Sequence, residues 1–470
     1  MKKLALLFFL VLSLDTFAQT ITQKIERAYA KFESDSQFKY ATTSLTVLNA
    51  ETGEIVFSKN SNMGLASAST LKTVTSATAF YLLGPNFTYQ TTLGYSGVID
   101  ASGTLNGDLI ITGAGDPTFG SERYQDTKPE VILKKFTDAV RQSGIKQING
   151  RVISDDHLFG TQTLPTGWIW QDIGNYYGAG PNSLTWRENQ LDLILRPGTK
   201  VGDPVQLVRT EPALTSVQIV NELTTGKSGS GDEVYAFSSP YSNIIYLRGT
   251  YGIDLEKTIA ASIPDPALTF AAEFKSQLNK SGMKVSGLET TTRILSASKQ
   301  PFSPPSKIIA NQTSPDLTKI VYWFNQKSIN LYGEHLVKTM ALKAGKEVTT
   351  ANGVEIVKDF WRQRAGIDEN SMNTIDGSGL SPGTRITTLT MAKVLQTVKK
   401  EPWFKYYFES LPVYNGMRMK SGTINDALAY AGYQTSSSGV PLVFSFIVNN
   451  YNGSSKEVRQ KMFAVLDQLK

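Results

Sequence analysis

The chain has 470 residues, 40% hydrophobic and 19% charged, with a formal net charge of +6; it is long enough for two or more domains and has the polarity of an ordinary soluble protein. It contains no cysteine and two histidines, His157 and His335, which excludes disulfides, thiol catalysis and lipoprotein anchoring and leaves neither histidine a partner at metal-ligand spacing. The excess charge is dilute and forms no basic-aromatic stripe, so no nucleic-acid partner is expected, and neither a metal nor another cofactor.

The N-terminus reads "MKKLALLFFLVLSLDTFAQT". Lys2 and Lys3 form a basic start, Leu4 to Leu14 an apolar stretch too short to span a bilayer comfortably, and Thr16-Phe17-Ala18 a small-residue cleavage site. A signal peptide over residues 1–18, export to the periplasm and a mature chain with no stable membrane anchor are the expectation.

From Ala41 onward, "ATTSLTVLNAETGEIVFSK" alternates apolar and polar positions on both sides of Glu51-Thr52-Gly53, the pattern of a hairpin. "ASASTLKTVTSATAFYLLG" follows with helical spacing and stops at Gly84-Pro85. Between about Tyr89 and Arg293 the texture changes to short β-type runs such as "GDLIITG", "LDLILRPG" and "NIIYLRGTYG", with few helical patterns. Helices return after the Pro- and Ser-rich junction "SPPSKIIANQTSP". Near the end "PLVFSFIVNN" reads as a buried strand and "SSKEVRQKMFAVLDQLK" as an amphipathic helix closing a core.

With cysteine absent and histidine scarce, a hydrolase can still activate a serine with a lysine. The relevant trio is Ser-x-x-Lys, Ser-x-Asn and Lys-Thr/Ser-Gly. Ser-x-x-Lys starts at Ser36, Ser69, Ser143, Ser281 and Ser296; Ser-x-Asn at Ser58, Ser328 and Ser371; Lys-Ser-Gly at Lys227, Lys280 and Lys420. Context separates the copies. Only Ser69-Thr70-Leu71-Lys72 opens a long helical pattern, where residues three apart are neighbours, although a serine there also suits a plain N-cap. Ser328-Ile329-Asn330 lies in a helix-rich stretch. "RMKSGTIND" at Lys420 precedes a strand, whereas Lys227 sits in Gly-Ser loop text and Lys280 ends a helix-like run. Asp116 and Asp376, in Gly-Asp-Pro and Asp-Gly, read as turn formers.

Ser69, Lys72, Ser328, Asn330 and Lys420 thus stand in the order one site requires. With "GAGDPTF", "VISDDHLF", "GWIWQDIGNYYGAGPNSLTWREN" and "DGSGLSPGTRIT", the chain resembles the multidomain class C penicillin-binding proteins, D-alanyl-D-alanine carboxypeptidases and endopeptidases. The resemblance implies an α/β (α+β) fold: a serine β-lactamase/transpeptidase-like domain at residues 19–90 and 295–470, split by two nested β-rich modules at 91–294. It implies cleavage of the terminal D-alanyl-D-alanine bond of peptidoglycan stem peptides, with crosslinks as further substrates and β-lactams as covalent inhibitors. Ser69 would be the nucleophile, Lys72 its base, Ser328 a proton relay and Asn330 an orienting group. Lys420, with Ser421 and Gly422, would receive the substrate carboxylate, and the backbone N–H groups of Ser69 and Thr423 would form an oxyanion hole. Asp172 and Tyr177 match positions that line a pocket for the amino-bearing end of diaminopimelate; a turn aspartate and a packing tyrosine are the plainer reading. Two departures stand out: Ser421 replaces the commoner threonine, and Pro382 stands where many relatives carry an arginine, with Arg385 nearby in sequence. The competing functions are a serine β-lactamase and a wall-binding protein without turnover.

Overall fold

Strand Pro441–Asn449 is apolar at almost every position because both of its faces are buried. It is an inner strand of a six-stranded antiparallel sheet ordered Ile55–Lys59, Thr42–Asn49, Pro441–Asn449, Ala427–Thr435, Met417–Ile424 and Val413–Tyr414. The first two strands are the expected hairpin. The structure, a computed structural model, describes residues 20–214 and 216–470; the signal peptide expected over residues 1–18 lies outside them. No helix among the described residues is long and apolar enough to cross a membrane.

The period-two alternation of each strand divides its side chains between two cores. On one face Val47, Leu428, Phe444 and Phe446 pack under the first and last helices, Ile21–Glu33 and Ser455–Leu466. The first helix begins with a capping box between Thr20 and Gln23 and buries Ile25, Tyr29 and Phe32 along one side. On the other face Leu48, Ala431, Val443 and Ile447 meet a larger helical layer. That layer contains Lys72–Leu83, Leu317–Gln326, Asn330–Lys343, Thr350–Ala365 and Thr388–Val398. The last helix therefore closes a core, as its amphipathic pattern predicts.

After helix Lys72–Leu83 the chain leaves this body and builds a five-stranded sheet ordered Glu289–Thr291, Val152–Asp155, Leu109–Thr112, Gln90–Tyr95 and Lys307–Thr313. Inside this excursion a further β-rich unit, centred on strands Gln190–Arg196 and Ile244–Gly252, has its own core of Leu193, Ile245, Leu247 and Tyr251. Strand Lys307–Thr313 pairs with Gln90–Tyr95, so the inserted sheet draws on residues beyond 294. Two long helices, Pro129–Gln142 and Pro266–Lys280, pack through Phe136, Phe270 and Phe274. The expectation of few helices in this region is therefore corrected. Both carry proline in the first turn, where its missing N–H costs nothing, and their apolar stripes were obscured by the β-type runs around them.

Candidate active site

Ser69 sits in a 3-10 turn, Ala68–Leu71, that feeds directly into helix Lys72–Leu83. The N-cap of that helix is Leu71, with no side-chain cap bond, so the plain N-cap reading of Ser69 does not hold. Its hydroxyl instead lies 2.8 Å from Lys72 Nζ. Ala68, just before it, has φ of +46°, a left-handed conformation that L-residues adopt at a cost and that recurs where a turn is held for chemistry.

Lys72 is fully buried. Its Nζ is also 2.6 Å from Asn330 Oδ1 and 2.8 Å from the carbonyl oxygen of Ser378. Lys72 Nζ donates to Ser69 Oγ, Asn330 Oδ1 and the Ser378 carbonyl; with the amine neutral, two N–H groups serve Asn330 and Ser378 and the lone pair is left for the Ser69 hydroxyl proton. Burial, reinforced by the charge of Lys420, holds the Lys72 pKa well below its ordinary value, against the pull of Asp376 and Glu334. Asn330 is itself fixed, because its Nδ2 donates to the Tyr177 carbonyl at 2.7 Å, which leaves Oδ1 facing Lys72.

Strand Met417–Ile424 carries Lys420, Ser421, Gly422 and Thr423. Lys420 is buried, donates to the Ser421 carbonyl at 2.8 Å, and has its pKa lowered by burial to about 7. A methyl group at Gly422 would lie 2.6 Å from Ser67 O and 2.8 Å from Ser69 N; only glycine lets the strand approach the Ser69 turn this closely. Met419 N–H bonds outward to Pro412 O. The register with strand Ala427–Thr435 runs without a shift through Thr423, so by alternation the Thr423 N–H also points off the outer edge.

Ser69, Ser328, Asn330 and Thr423 line one cavity of about 630 Å³, together with Asp172, Tyr177, Leu380 and Pro382. Lys72, Lys420 and Gly422 stand behind its wall, and Ser421, half-buried, lies off the lining. Ser328 has φ of +57° between helices Leu317–Gln326 and Asn330–Lys343, and its hydroxyl has no hydrogen-bond partner among the described residues. Asp172 is half-buried, and burial raises its carboxyl pKa against the opposing hydrogen bond of the Tyr177 hydroxyl. Arg385 does not replace an arginine at Pro382: its guanidinium turns back onto the Pro382 and Thr384 carbonyls and does not line the cavity.

The other copies of the motifs fall elsewhere. Lys227 lies in a turn and Lys280 ends helix Pro266–Lys280. His335 is a buried structural residue, bonded to Leu331 O at 2.8 Å and to the Thr185 hydroxyl at 2.8 Å. His157 pairs with Asp155 at 2.6 Å. Asp376 does organise a turn, accepting from Ser381 N, Gly379 N and the Thr384 hydroxyl.

Sequence reasoning missed Glu334. It lies one turn after Asn330 on the same helix, is fully buried, and accepts the Gly377 N–H at 3.1 Å. Burial and the neighbouring Asp376 raise its pKa to about 8. The signal available was a glutamate at i+4 from a motif asparagine, one turn along the same helix face.

The helix-on-sheet body and its buried serine–lysine pair define the class, serine enzymes of the β-lactamase and transpeptidase type. Residues 25–416 match the D-Ala-D-Ala carboxypeptidase 3 (S13) family, and the chain belongs to that family. It is similar to a D-alanyl-D-alanine carboxypeptidase of an Actinomadura species, 25% identical over 459 residues that cover 92% of this chain and 82% of the relative. It is also similar to the D-alanyl-D-alanine carboxypeptidase DacB of Haemophilus influenzae, 23% identical over 437 residues, covering 88% and 86%. The crystal structure of penicillin binding protein 4 (dacB) from Haemophilus influenzae superposes with a TM-score of 0.76 at 20% identity, covering 94% of this chain and 97% of the other. A second structure of that protein, complexed with a β-lactam, gives a TM-score of 0.73 at 18% identity. These structures support the fold: a transpeptidase-like body with inserted modules.

Proposed function

We propose that the chain is a periplasmic serine D,D-peptidase that removes the terminal D-alanine of peptidoglycan stem peptides through an acyl-enzyme on Ser69. The observation that carries this reading is the buried Lys72 amine bonded to Ser69 Oγ. Lys72 takes the hydroxyl proton as Oγ attacks the carbonyl of the penultimate D-alanine. The oxyanion forms between the N–H groups of Ser69 and Thr423, each such donor being worth roughly 3–4 kcal/mol in other hydrolases. The C–N bond then breaks as Ser328 passes its hydroxyl proton to the leaving amine and is reprotonated with the proton Lys72 had taken, so D-alanine departs and Lys72 is neutral again. Water attacks the ester, gives its proton back through Lys72, and frees Ser69. Lys420, when protonated, attracts the substrate carboxylate, with the Ser421 hydroxyl beside it. Asp172 and Tyr177, which line the cavity, would receive an ammonium group of the stem peptide.

The proposal includes export through the leader at residues 1–18. It also includes the division into a split catalytic body and an inserted region, with the return set after Thr313 because strand Lys307–Thr313 still pairs with the inserted sheet. A β-lactam bound by the Haemophilus protein supports covalent penicillin binding here.

Intact-mass measurement after incubation with benzylpenicillin, alongside assay of D-alanine release from a pentapeptide, tests the reading. The expected result is one penicilloyl adduct and free D-alanine from the wild type, and neither from Ser69→Ala. A folded wild type that forms no adduct and releases no D-alanine would overturn it in favour of a wall-binding role. Rapid penicillin turnover without D-alanine release would make the chain a β-lactamase.

A further inference from the structure

One cationic group on the cavity wall has no part in the mechanism above. Arg123, contributed by the inserted region, lines the cavity together with Ser69 and Ser328. Its Nε donates to both carboxylate oxygens of Glu188, at 3.0 and 3.1 Å, and its guanidinium lies 5.4 Å from the ring of Trp323. The terminal nitrogens have no acceptor among the described residues, so the outer edge of the fork is left for a ligand.

The support beneath this arginine is built at some conformational expense. Arg187, Glu188 and Asn189 have φ of +55°, +54° and +52°, a full left-handed turn without a glycine, which L-residues avoid. The turn carries the Glu188 carboxylate to the cavity wall. There it also accepts from the Ser121 hydroxyl at 2.7 Å and the Tyr332 hydroxyl at 2.5 Å. Glu188 Oε1 thus gathers three donors and Oε2 a share of Arg123 Nε, and the carboxylate anchors Arg123 without covering it.

Position says which part of a substrate the guanidinium meets. Trp323 belongs to helix Leu317–Gln326, which leads through Lys327 into Ser328, and Tyr332 lies two residues beyond Asn330. Arg123 therefore stands on the Ser328 wall, and the exposed Lys327 lines the same wall. Under the reading above, on which this inference rests, Ser328 faces the departing amine. A departing D-alanine has one carboxylate, which Lys420 serves. We propose that Arg123, assisted by Lys327, binds a second carboxylate carried by a longer leaving group, the acceptor stem peptide released when a crosslink is cut. Arg123 is then a specificity-determining residue that favours crosslinked peptides. A planar, permanently charged fork held from behind suits a carboxylate. The bond chemistry is unchanged: the amide C–N bond breaks and the acceptor amine leaves with the proton from Ser328.

The test compares a crosslinked muropeptide dimer, the same dimer amidated at its acceptor-stem carboxylates other than the one beside the scissile amide, and a monomeric pentapeptide, with wild type, Arg123→Gln and Arg123→Lys. Penicillin acylation verifies that each variant is folded. For wild type, amidation is expected to lower kcat/KM on the dimer about tenfold, the size of one charge-assisted contact. In Arg123→Gln the dimer-to-pentapeptide ratio falls by a similar factor and amidation no longer matters, while Arg123→Lys lies between. An amidation effect that persists in Arg123→Gln, or a dimer-to-pentapeptide ratio that stays the same, would overturn the inference. So would a wild type that trims the pentapeptide but leaves dimers intact, and that result spares the parent reading. A wild type inactive on the pentapeptide removes the parent reading and this inference together.

Discussion

Two lysines share the buried heart of the site, and under the proposed mechanism each works only in the protonation state opposite to the other. Lys72 must be neutral to take a proton from Ser69, and Lys420 must be charged to attract a carboxylate. The charge of Lys420 is one of the causes that depress Lys72. Lys420→Met should therefore raise the Lys72 pKa and move the rising limb of penicillin acylation against pH to higher pH; a limb that stays in place would break the coupling. The same substitution carries a stability prediction. Lys420 keeps its proton to about pH 10.4 in the unfolded chain but only to about 7 in the fold. Between those values the unfolded state binds more protons, so the Lys420 contribution rises with pH across that window. Lys420→Met should be more stable than wild type at pH 7 and below, and the advantage should shrink toward pH 10 in denaturant titrations. Lys72, Ser69 and Lys420 were readable because their spacing and order are written in sequence. Glu334 was not, because its importance depends on burial beside Asp376, residues far apart in the chain.

At the scale of elements, the site is a joint between a helix start and a strand edge, and glycine sets the distance between them. Gly422→Ala would place a methyl group 2.6 Å from Ser67 O and 2.8 Å from Ser69 N and Thr70 N. All three are backbone atoms that a rotamer change cannot move aside. The nucleophile turn must shift, which pulls Ser69 N–H away from Thr423 N–H. The expected outcome is a fall of a hundredfold or more in penicillin acylation, on the order of one lost oxyanion donor. The thermal midpoint should fall only modestly, because the sheet pairing through Thr423 is kept. Unchanged acylation would show that the close approach is not what the glycine provides. The strand itself and its Lys-Ser-Gly were legible from the run that follows them. The turn at Arg187-Glu188-Asn189 was not, since none of its residues is glycine and its left-handed backbone is imposed by the Glu188 and Asn189 contacts it makes. Helix Pro129–Gln142 was overlooked, and Pro266–Lys280 was seen only as a helix-like run ending at Lys280, for a related reason. Their apolar stripes serve a core shared with strands, so the local text reads as a mixture of periods.

At the scale of the whole molecule, the inserted region completes the site, and helix Asn330–Lys343 is the seam along which the two bodies meet. Asn330 donates to the Tyr177 carbonyl, Lys338 donates to the Phe159 and Gln162 carbonyls at 3.0 and 2.7 Å, and His335 joins Thr185 and Asn182. This seam titrates. Burial lowers the His335 pKa from 6.5 to about 4, so between those values the unfolded chain binds the extra proton. The contribution of His335 is present above pH 6.5 and is lost as pH falls toward 4, by roughly 3 kcal/mol in all. Glu334, beside it, has the opposite sign: its pKa rises from 4.5 to about 8, so its contribution falls as pH rises through that range. The two slopes offset each other in the wild type between about 4.5 and 6.5, so His335 is isolated by comparison with a variant that keeps Glu334. Urea midpoints of wild type and His335→Gln, measured from pH 4 to 8, should show a stability difference that is constant above pH 6.5. Below that pH the difference should move steadily in favour of the variant. The same acid range should release penicillin acylation in wild type before global unfolding, because Asn330 is carried on the helix that loosens. A stability difference that does not change with pH would remove His335 from this role and place the acid sensitivity of the site elsewhere along the seam.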